Sequence, residues 1–436
     1  MTTRLSGINS TLGVAVASLI RHHANFRRLW VGQTVSEVGT QIGNLAVPLI
    51  AVHTVDASTF QISALFAAEY APYVLIGLPA GVWVDRLRRR RVLIVTDLIR
   101  AVALLAIPAA MVFRAVTLPL LYGVVFVVGA ATVFFSVTYQ AYLPAVVERD
   151  QLIEANGRLT ASRSIASAAG PTAGGSIVAA LTAPLAVAAD AFSYLCSAAL
   201  ITAIRAPEPA PKATEQRNLR REMGEGLRLV RHDRLLWTMT LYSAASSLCV
   251  MMAISLELVF LVRAVHLGTV GIGLLLGISS FGAVLGAFAA APLRRQFGEL
   301  RTLVGAALAS STLLLLVPLT ALGPRLAFFV LGTGGASCGI VAYNIIAISM
   351  QQRRCPGQLL GRMFATQRFV GWSTPPIGAL AAGGLGSTIG LRATLLVAAV
   401  LYVVSTCGLG WSLRRGVPTD ELSVAAVQRS PAPVAR

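Results

Sequence analysis

The amino-acid sequence predicts an all-α membrane protein with twelve transmembrane helices, arranged as two pseudo-symmetric bundles of six. Three observations support this fold class: the composition, the number of long apolar segments, and an internal repeat. Of the 436 residues, 56% are hydrophobic and only 12% are charged, and the mean hydropathy is +0.73. A soluble domain carries about 25% charged residues, so this composition indicates a chain that is mostly embedded in lipid.

Twelve segments have the length and the apolar character of a membrane span. A bilayer core about 30 Å thick takes roughly 20 apolar residues to cross as a helix. The predicted spans, in chain order, cover residues 29–52, 60–84, 92–113, 119–140, 157–182, 185–204, 235–262, 269–291, 302–322, 326–349, 367–389 and 392–413.

The positive charge is unevenly distributed between the two sides of these spans. The formal net charge is +18, which by itself would also fit a nucleic-acid-binding protein. If the N-terminus is cytoplasmic, the basic residues of the outer side are Arg114, Arg263, Arg325 and Arg392, and the rest of the 36 Lys and Arg residues lie on the inner side or in the tails. This asymmetry predicts that both termini are cytoplasmic and that nucleic acid is not a partner.

A polar, proline-rich stretch at 205–234 is predicted to be a cytoplasmic linker between two halves. It separates an N-terminal six-helix bundle at 29–204 from a C-terminal six-helix bundle at 235–415. A cytoplasmic segment, 1–28, precedes the first bundle, and a cytoplasmic tail at 416–436, expected to be disordered, follows the second. The cysteines form no C-x-x-C pair, so neither a disulfide framework nor a metal site is predicted.

The two halves are similar to each other in sequence. Residues 157–175 align without gaps to 361–379, and residues 77–90 align to 282–295. An internal duplication of six spans is typical of secondary transporters, in which two bundles rock about a central site and expose it to each side in turn. The repeat therefore predicts a transporter and not a membrane enzyme, since no cluster of nucleophilic, basic or metal-ligating residues accompanies it.

The loop between the second and third predicted spans carries the charged motif G-x-x-x-D-R-x-x-R-R. Its residues are Gly81, Asp85, Arg86, Arg89 and Arg90. Together with the two six-helix halves and the central linker, this motif resembles the major facilitator superfamily over about residues 25–415. The resemblance implies a cytoplasmic gate, in which the Asp85 carboxylate keeps charge-assisted partners in one conformation and loses them in another. The alternative is that the basic run only orients the loop toward the cytoplasm.

Two further charges are assigned to the same gate. Asp97 and Arg100 lie three residues apart on the third span, where they can pair with each other or with the loop. We expect them close to the cytoplasmic end of that span. In the second half Ala290 stands where the repeat places Asp85, so that copy is expected to keep packing and lipid contacts but no carboxylate switch.

The fifth predicted span is rich in small residues. It fits the pattern G-x8-G-x3-G-P-x2-G-G with one Gly-to-Ala change, at residues Gly157, Ala166, Gly170, Pro171, Gly174 and Gly175. This pattern resembles the drug:proton antiporters of the superfamily, and residues 26–44 and 142–164 look most similar to its enterobactin and macrolide exporter branch. The alternative is a general packing face of small residues. We expect this span to pack closely against the eighth span, in the other half.

Proton coupling is assigned to carboxylates inside the membrane, because the fourth span lacks the arginine that many proton antiporters carry there. The candidates are Glu37, Glu69 and Asp190. At about 1.5 Å per residue, Glu37 lies about 12 Å into its span and Glu69 about 13 Å, and burial of a carboxyl group favours its protonated form. The alternative for each is a neutral side chain that packs between helices. Glu257 is expected at the outer rim of the seventh span.

A cavity for large, partly apolar compounds should combine aromatic rings with amide groups. The candidates for its lining are Gln33, Gln41, Asn44, Tyr70, Tyr343, Asn344 and Trp372, each of which could instead fill a helix interface. None of the predicted spans places a histidine in the membrane interior, so a histidine proton relay is not expected.

These observations predict a secondary active exporter of small amphiphilic molecules, such as an antibiotic, a drug or a siderophore, driven by proton antiport. The alternatives on the same fold are a lysolipid or lipid translocator and a nutrient transporter. No nucleotide-binding motif is present in the sequence, so no cofactor is expected beyond the proton gradient. The expected partners are the small-molecule substrate, protons and membrane lipids, the expected state is a monomer, and the expected location is the bacterial cytoplasmic membrane.

Overall fold

The computed structural model describes residues 23–148, 151–206, 228, 230–354 and 360–416, and within these ranges the chain is helical with no strand. The predicted N-terminal segment up to residue 22, most of the predicted linker, and the predicted tail beyond residue 416 lie outside the described residues.

Six helices form the N-terminal half. They are α1 (Ala24–His53), α2 (Thr59–Asp85), α3 (Arg89–Val112), α4 (Leu118–Val146), α5 (Leu152–Leu181) and α6 (Ala183–Thr202). The C-terminal half follows as α7 (Arg234–Val259), α8 (Thr269–Phe297), α9 (Glu299–Leu314), α10 (Gly335–Arg354), α11 (Leu360–Ser373), α12 (Pro375–Thr388) and α13 (Leu391–Gly416). A π-helical turn at Phe260–Ala264 extends α7, and another at Val330–Gly334 precedes α10.

The observed helices occur along the chain in the same order as the predicted spans, and their ends are shifted by a few residues. Within the described part of the chain, nine helices are long and apolar enough to cross a membrane; α2, α5 and the α11–α12 pair are not among them. Large apolar side chains lie on the outer surface, including Phe288, which is 77% exposed, and Val102, which is 68% exposed. An exterior of this kind suits contact with lipid tails. The chain is a multi-pass membrane protein.

The predicted eleventh span is divided in the structure. Helix α11 ends at Ser373, and α12 begins at Pro375, so the predicted single helix is two. Pro375 and Pro376 carry no backbone N–H, and a residue before proline is disfavoured in the helical region. The amide of Gly378 restarts the helical hydrogen bonds by donating to the Thr374 carbonyl, at 2.9 Å.

Side-chain caps mark where two helices begin. Ser58 and Gln61 form a reciprocal capping box before α2, with the Ser58 amide donating to Gln61 Oε1 at 2.7 Å. Asp233 caps α7 by accepting from the amides of Leu235 and Leu236, at 2.8 and 3.0 Å. Caps of this kind satisfy amides that have no partner inside the helix. Asp233 thereby sets the point at which the linker ends and the second half begins.

The membrane face at which α1 begins and α13 ends is called here the terminal face, and the opposite face is the far face. The two halves contact each other at the far face along two seams. In the first, between α5 and α8, Thr172 Oγ1 donates to the carbonyl of Gly273 at 3.2 Å. In the second, between α2 and α12, Gly383 lies directly against Phe60 and Ser63. These seams close the far face in this conformation.

An arginine also bridges the halves at the far face. Arg263, in the π-helical turn after α7, donates from Nη2 to the carbonyl of Ala57 at 2.8 Å, and the same nitrogen lies 3.5 Å from Asp56 Oδ1. Asp56 has a positive φ of 49° in the turn between α1 and α2. Because Asp56 is exposed, the ion pair itself contributes little to stability, and the carbonyl hydrogen bond ties the two halves more directly.

Helices within the C-terminal half approach each other through glycine. A Cβ added at Gly282 of α8 would collide with the backbone of Gly334, and one added at Gly286 would collide with the backbone of Cys338. Hydrophobicity does not drive helices together in lipid, so close backbone packing at small residues is a main source of association. Gly282 and Gly286 therefore hold α8 against α10.

Replacement of Gly282 by alanine should destabilise the protein, because the obstructing atoms at Gly334 are backbone and cannot rotate away. Overpacking of a tight interface costs about 1–3 kcal/mol. The midpoint of thermal unfolding of the purified protein in detergent measures the effect. Gly305→Ala, on α9, is the matched control, since a Cβ there meets nothing within 4 Å. Equal midpoints for the two variants would contradict this account of the α8–α10 contact.

Candidate transport cavity

A large cavity lies between the two halves and opens to the terminal face. Its volume is about 1990 Å³, above the roughly 300–1,000 Å³ of ordinary small-molecule pockets. The lining extends from Pro48, in the far-face part of α1, to Asn156, about one turn from the terminal-face end of α5. The far-face seams close the other end, so the cavity is accessible from one side of the membrane.

Among the described residues, seven ionisable side chains other than tyrosine line this cavity. The acidic ones are Glu37, Glu69, Asp190 and Glu257, and the basic ones are Arg100, Arg163 and Arg368. Charged groups at membrane depth are costly, and they occur mainly where they pair or face a water-filled space. Their position on the cavity wall therefore separates them from the charges that only orient loops.

Glu37 is held by an amide and by an arginine. Gln33 Nε2, one turn earlier on α1, donates to Glu37 Oε1 at 3.0 Å. The same carboxylate oxygen lies 3.8 Å from Nε of Arg163, on α5. The Arg163 side chain is 73% exposed and projects into the open part of the cavity, so this ion pair is accessible to solvent and to a ligand.

Glu69 and Glu257 line the cavity from opposite halves, on α2 and α7. Neither carboxylate has an ion pair with any residue that the structure describes. The sequence predicts Glu257 at the outer rim of its span, whereas the structure directs it into the cavity. Successive residues of a helix point about 100° apart, so the place of Glu257 near the far-face end of α7 does not by itself predict which way its side chain points.

Asp190 occupies a gap on the surface of α1. It is 3% exposed, and Ser193 Oγ donates to its Oδ1 at 3.4 Å. A Cβ at Gly43 would collide with Asp190 Oδ2, and a Cβ at Gly39 would lie 2.8 Å from Oδ1. The two glycines, one helical turn apart on α1, therefore make the space that this carboxyl group needs.

Asp97 and Arg100 are paired with each other, as expected, but not at the end of the membrane. Helix α3 begins at Arg89, three residues earlier than the predicted span, so Arg100 is about 16 Å along the helix. Asp97 is 0% exposed and Arg100 is 4% exposed. The pair lies well inside α3, and Arg100 reaches the cavity; its part in the cytoplasmic gate stays a prediction.

An aromatic cluster crosses from one half to the other inside the cavity. Tyr73 of α2 and Trp372 of α11 have ring centroids 4.2 Å apart. Tyr70 lies against both, with centroid distances of 5.9 Å to Tyr73 and 6.3 Å to Trp372. Tyr70 and Trp372 are among the predicted lining residues and Tyr73 is not, although its spacing of three from Tyr70 places both rings on one face of α2.

The amide candidates of α1 also line the cavity. Gln33, Gln41 and Asn44 are all on its wall, and Gln41 Nε2 lies 3.4 Å from Ser167 Oγ of α5. Tyr343 and Asn344 are not on the wall that the structure describes.

The structure therefore corrects the placement of these last two candidates on α10. The Tyr343 ring is buried within the C-terminal half, 4.8 Å from that of Tyr242, and Asn344 is exposed on another face of the helix. Successive residues of a helix point about 100° apart. Without knowledge of which face meets the cavity, the sequence could not separate them from true lining residues.

The small residues of α5 pack in two directions. Gly170 lies against Gln41 of α1, and Gly174 lies against Ile42. Gly175 faces the other half, where an added Cβ would be 2.8 Å from the Cα of Gly273. The expected contact between the fifth and eighth spans is therefore present, and Pro171 lines the cavity beside it. Ala166 is buried, whereas Gly157 has open space around it.

The charged loop between α2 and α3 makes its described contacts within the N-terminal half. Arg89 Nη1 donates to the carbonyl of Ala141 at 2.9 Å, and Arg90 Nε donates to that of Ile201 at 3.2 Å. These carbonyls belong to the last turns of α4 and α6, where cations are favoured. Arg86 is exposed, and the side chains of Gly81 and Asp85 lie outside the described residues.

A carboxylate that the repeat did not predict lies at the same level in the second half. Glu299, at the start of α9, accepts from Arg294 Nη1 at 3.2 Å and also pairs with Arg353 of α10. It joins α8, α9 and α10 at the terminal face. Because Glu299 does not align with Asp85, the comparison of the two halves predicts packing without a carboxylate and misses this ion pair.

Two helical halves around a large membrane cavity that carries charged side chains and opens to one face define a membrane transporter. The sequence profile of the Major Facilitator Superfamily matches residues 29–375. The chain belongs to this family.

Known relatives place the chain near efflux proteins of the family. Macrolide efflux protein A of Streptococcus pyogenes is 23% identical over 389 residues, which cover 87% of this chain and 93% of that protein. The uncharacterized MFS-type transporter YkuC of Bacillus subtilis is 28% identical over 191 residues, which cover 43% of each chain.

Solved structures show the same fold at low identity. The nucleoside transporter NupG superposes with a TM-score of 0.73 at 11% identity, covering 89% of this chain and 99% of that one. A bacterial homologue of the iron transporter ferroportin, in an inward-facing state, superposes with a TM-score of 0.66 at 16% identity, covering 90% of this chain and 99% of that one.

Replacement of Gly175 by alanine should loosen the far-face seam, because the added methyl group would push α5 away from the backbone of α8. The expected result is greater labelling, by a membrane-impermeant thiol reagent, of a cysteine introduced at Thr269. Gly157→Ala is the matched control within the same motif, since a Cβ at residue 157 meets nothing within 4 Å. Labelling of the Gly175 variant no greater than that of the control would refute the assignment of Gly175 to this seam.

Proposed function

We propose that this transporter exports small amphiphilic molecules, such as an antibiotic, a drug or a siderophore, in exchange for protons. The observation that carries the proposal is the cavity wall, on which the aromatic cluster Tyr70–Tyr73–Trp372 lies beside membrane-embedded carboxyl groups. Aromatic and apolar surface with a few placed polar groups suits a large, partly apolar ligand. The likeness to macrolide efflux protein A supports an exporter.

The conformation fits the loading step of such a cycle. The positive charge of the loops favours a cytoplasmic location for both termini, and the terminal face would then be the inner face of a bacterial cytoplasmic membrane. The cavity would open inward, ready to take substrate from the cytoplasm or the inner leaflet. Release would require the α5–α8 and α2–α12 seams to part while the halves approach at the terminal face.

Coupling to protons needs a group that changes charge where substrate or solvent can reach it. Glu37 and Glu69 both satisfy this condition, because both line the cavity. Protonation of Glu37 would release Arg163, whose only described partner is that carboxylate. Energy would come from the proton gradient without a further cofactor, and one chain in contact with lipid would suffice, since both halves of the cavity belong to it.

Glu37→Gln and Glu69→Gln should lose proton-driven export while leaving the protein in the membrane, because an amide keeps the size of the side chain but cannot exchange a proton. Resistance to a compound panel that includes erythromycin, measured in a pump-deficient bacterial host, should fall to the level of the empty vector. Everted vesicles should likewise lose the compound uptake that acidification of their lumen, which corresponds to the periplasmic side, would otherwise drive. Glu148→Gln, at an exposed site after α4, is the control.

Three results would oppose this proposal. Full proton-dependent export by both glutamine variants would remove Glu37 and Glu69 from the coupling step. If export by the unmodified protein were insensitive to a protonophore, proton antiport would be excluded as its energy source. Uptake of lysolipids or nutrients, in place of export of the compound panel, would favour the alternative transport functions of this fold.

A further inference from the structure

Three charged side chains form a buried group inside the N-terminal half: Asp97 and Arg100 of α3, and Asp190 of α6. We call this group the α3–α6 charge cluster. Each member is at most 4% exposed. Glu37, in contrast, keeps 18% of its side chain exposed beside an arginine that is 73% exposed. The cluster therefore lies in a drier environment than the glutamate pair at the cavity wall.

Arg100 is the centre of this cluster. Its guanidinium pairs with Asp97 and lies between two aromatic rings, with its central carbon 4.2 Å from the ring centroid of Phe135 and 4.3 Å from that of Tyr194. Tyr194 is one helical turn from Asp190 on α6. The hydroxyl of Tyr194 bonds to that of Thr40, at 2.8 Å.

The hydrogen bonding of the cluster is incomplete. Asp97 Oδ2 and Arg100 Nε are buried and have no hydrogen-bond partner among the described residues. Asp190 lines the same cavity as Arg100, and Tyr194, one turn from Asp190 on α6, lies against the guanidinium, yet the ion pair that Arg100 forms is with Asp97. The guanidinium thus has a donor available and a second carboxyl group beside it.

The number of charged groups determines how many protons this cluster can hold. An arginine stays charged in proteins, so two ionised carboxylates leave the cluster with one uncompensated negative charge. A single proton on either carboxylate makes the cluster neutral. Burial strongly disfavours an uncompensated charge, and two carboxylates near one another share protons as a pair. The composition of the cluster therefore provides one exchangeable proton.

The cavity connects the cluster to solvent, so a proton can enter and leave. Arg100 and Asp190 line the cavity, and Asp97 lies behind them. The other ionisable groups around the cluster are Tyr194 on α6, Tyr139 on α4, Glu37 on α1 and, across the cavity, Glu69 on α2. Glu37 is already paired with Arg163. Among the described residues, Arg100 is therefore the cation that pairs with Asp97 and lines the cavity together with Asp190.

We propose that the α3–α6 charge cluster is an internal proton-holding site of the transporter, behind the cavity-wall carboxylates Glu37 and Glu69, with Asp97 and Asp190 sharing the charge of Arg100 and one proton. The proposal rests on proton antiport as the function. With the proton on Asp190, Arg100 pairs with Asp97, which is the arrangement observed. When Asp190 releases its proton to water in the cavity, its carboxylate competes for Arg100. Because Asp190 fits into the Gly39–Gly43 gap of α1, this change of partner alters the contact between α1 and α6.

The test uses infrared spectroscopy of the purified full-length protein in lipid vesicles, which needs no substrate. The carbonyl band of protonated carboxyl groups is followed as pH is changed. Asp190→Asn should abolish the cluster's part of the pH-dependent band. Asp97→Asn should abolish it too, although Asp190 is still present, because Arg100 then neutralises Asp190 completely. Arg100→Gln should keep the band at neutral pH, and Arg100→Lys should restore a response close to that of the unmodified protein.

Glu148→Gln is the control for reconstitution, and thermal unfolding identifies any variant that fails to fold; if one aspartate variant does so, the other and the two Arg100 variants still decide the question. A normal band in Asp190→Asn, or an unchanged titration in Asp97→Asn or Arg100→Gln, would overturn the proposal. Failure of erythromycin export with the predicted band changes intact would instead count against the proposed substrate class only.

Discussion

The structure depends on one constraint, which is that polar groups inside a lipid bilayer must find partners within the protein or in a water-filled space. Close helix packing through glycine follows from it, as between Gly282 and the backbone at Gly334. The same constraint decides where charges can lie. Arg100 is enclosed by Asp97 and two aromatic rings, while Arg163 projects into the cavity.

Small residues and charges cooperate in this fold. Gly39 and Gly43 lower the surface of α1 so that Asp190 fits there, and Gly170 and Gly174 let α5 approach the same helix from another side. Helix α1 is therefore in contact with a buried carboxyl group and with the span that carries the antiporter pattern. Any movement of α1 would therefore be transmitted to both places.

Much of the fold was predictable because membrane spans have a length set by the bilayer and a charge asymmetry set by topology. The contact between the fifth and eighth spans also followed from residues such as Gly175, since small residues mark packing faces. The direction in which individual side chains point was harder to predict from the sequence. Tyr73, Tyr343 and Glu257 differ from expectation because the direction in which a helix face points depends on its neighbours. The position of Arg100 along α3 depended on where that helix begins.

The break between α11 and α12 separates two tasks that a continuous helix would join. Trp372, before the break, touches the aromatic cluster of the cavity, and Gly383, after it, touches the far-face seam. If cargo binds at the aromatic cluster, as proposed, affinity and turnover rate depend on different segments of one span. Substitutions in α11 would then alter cargo preference without changing the far-face closure, and substitutions in α12 would alter the speed of opening without changing recognition.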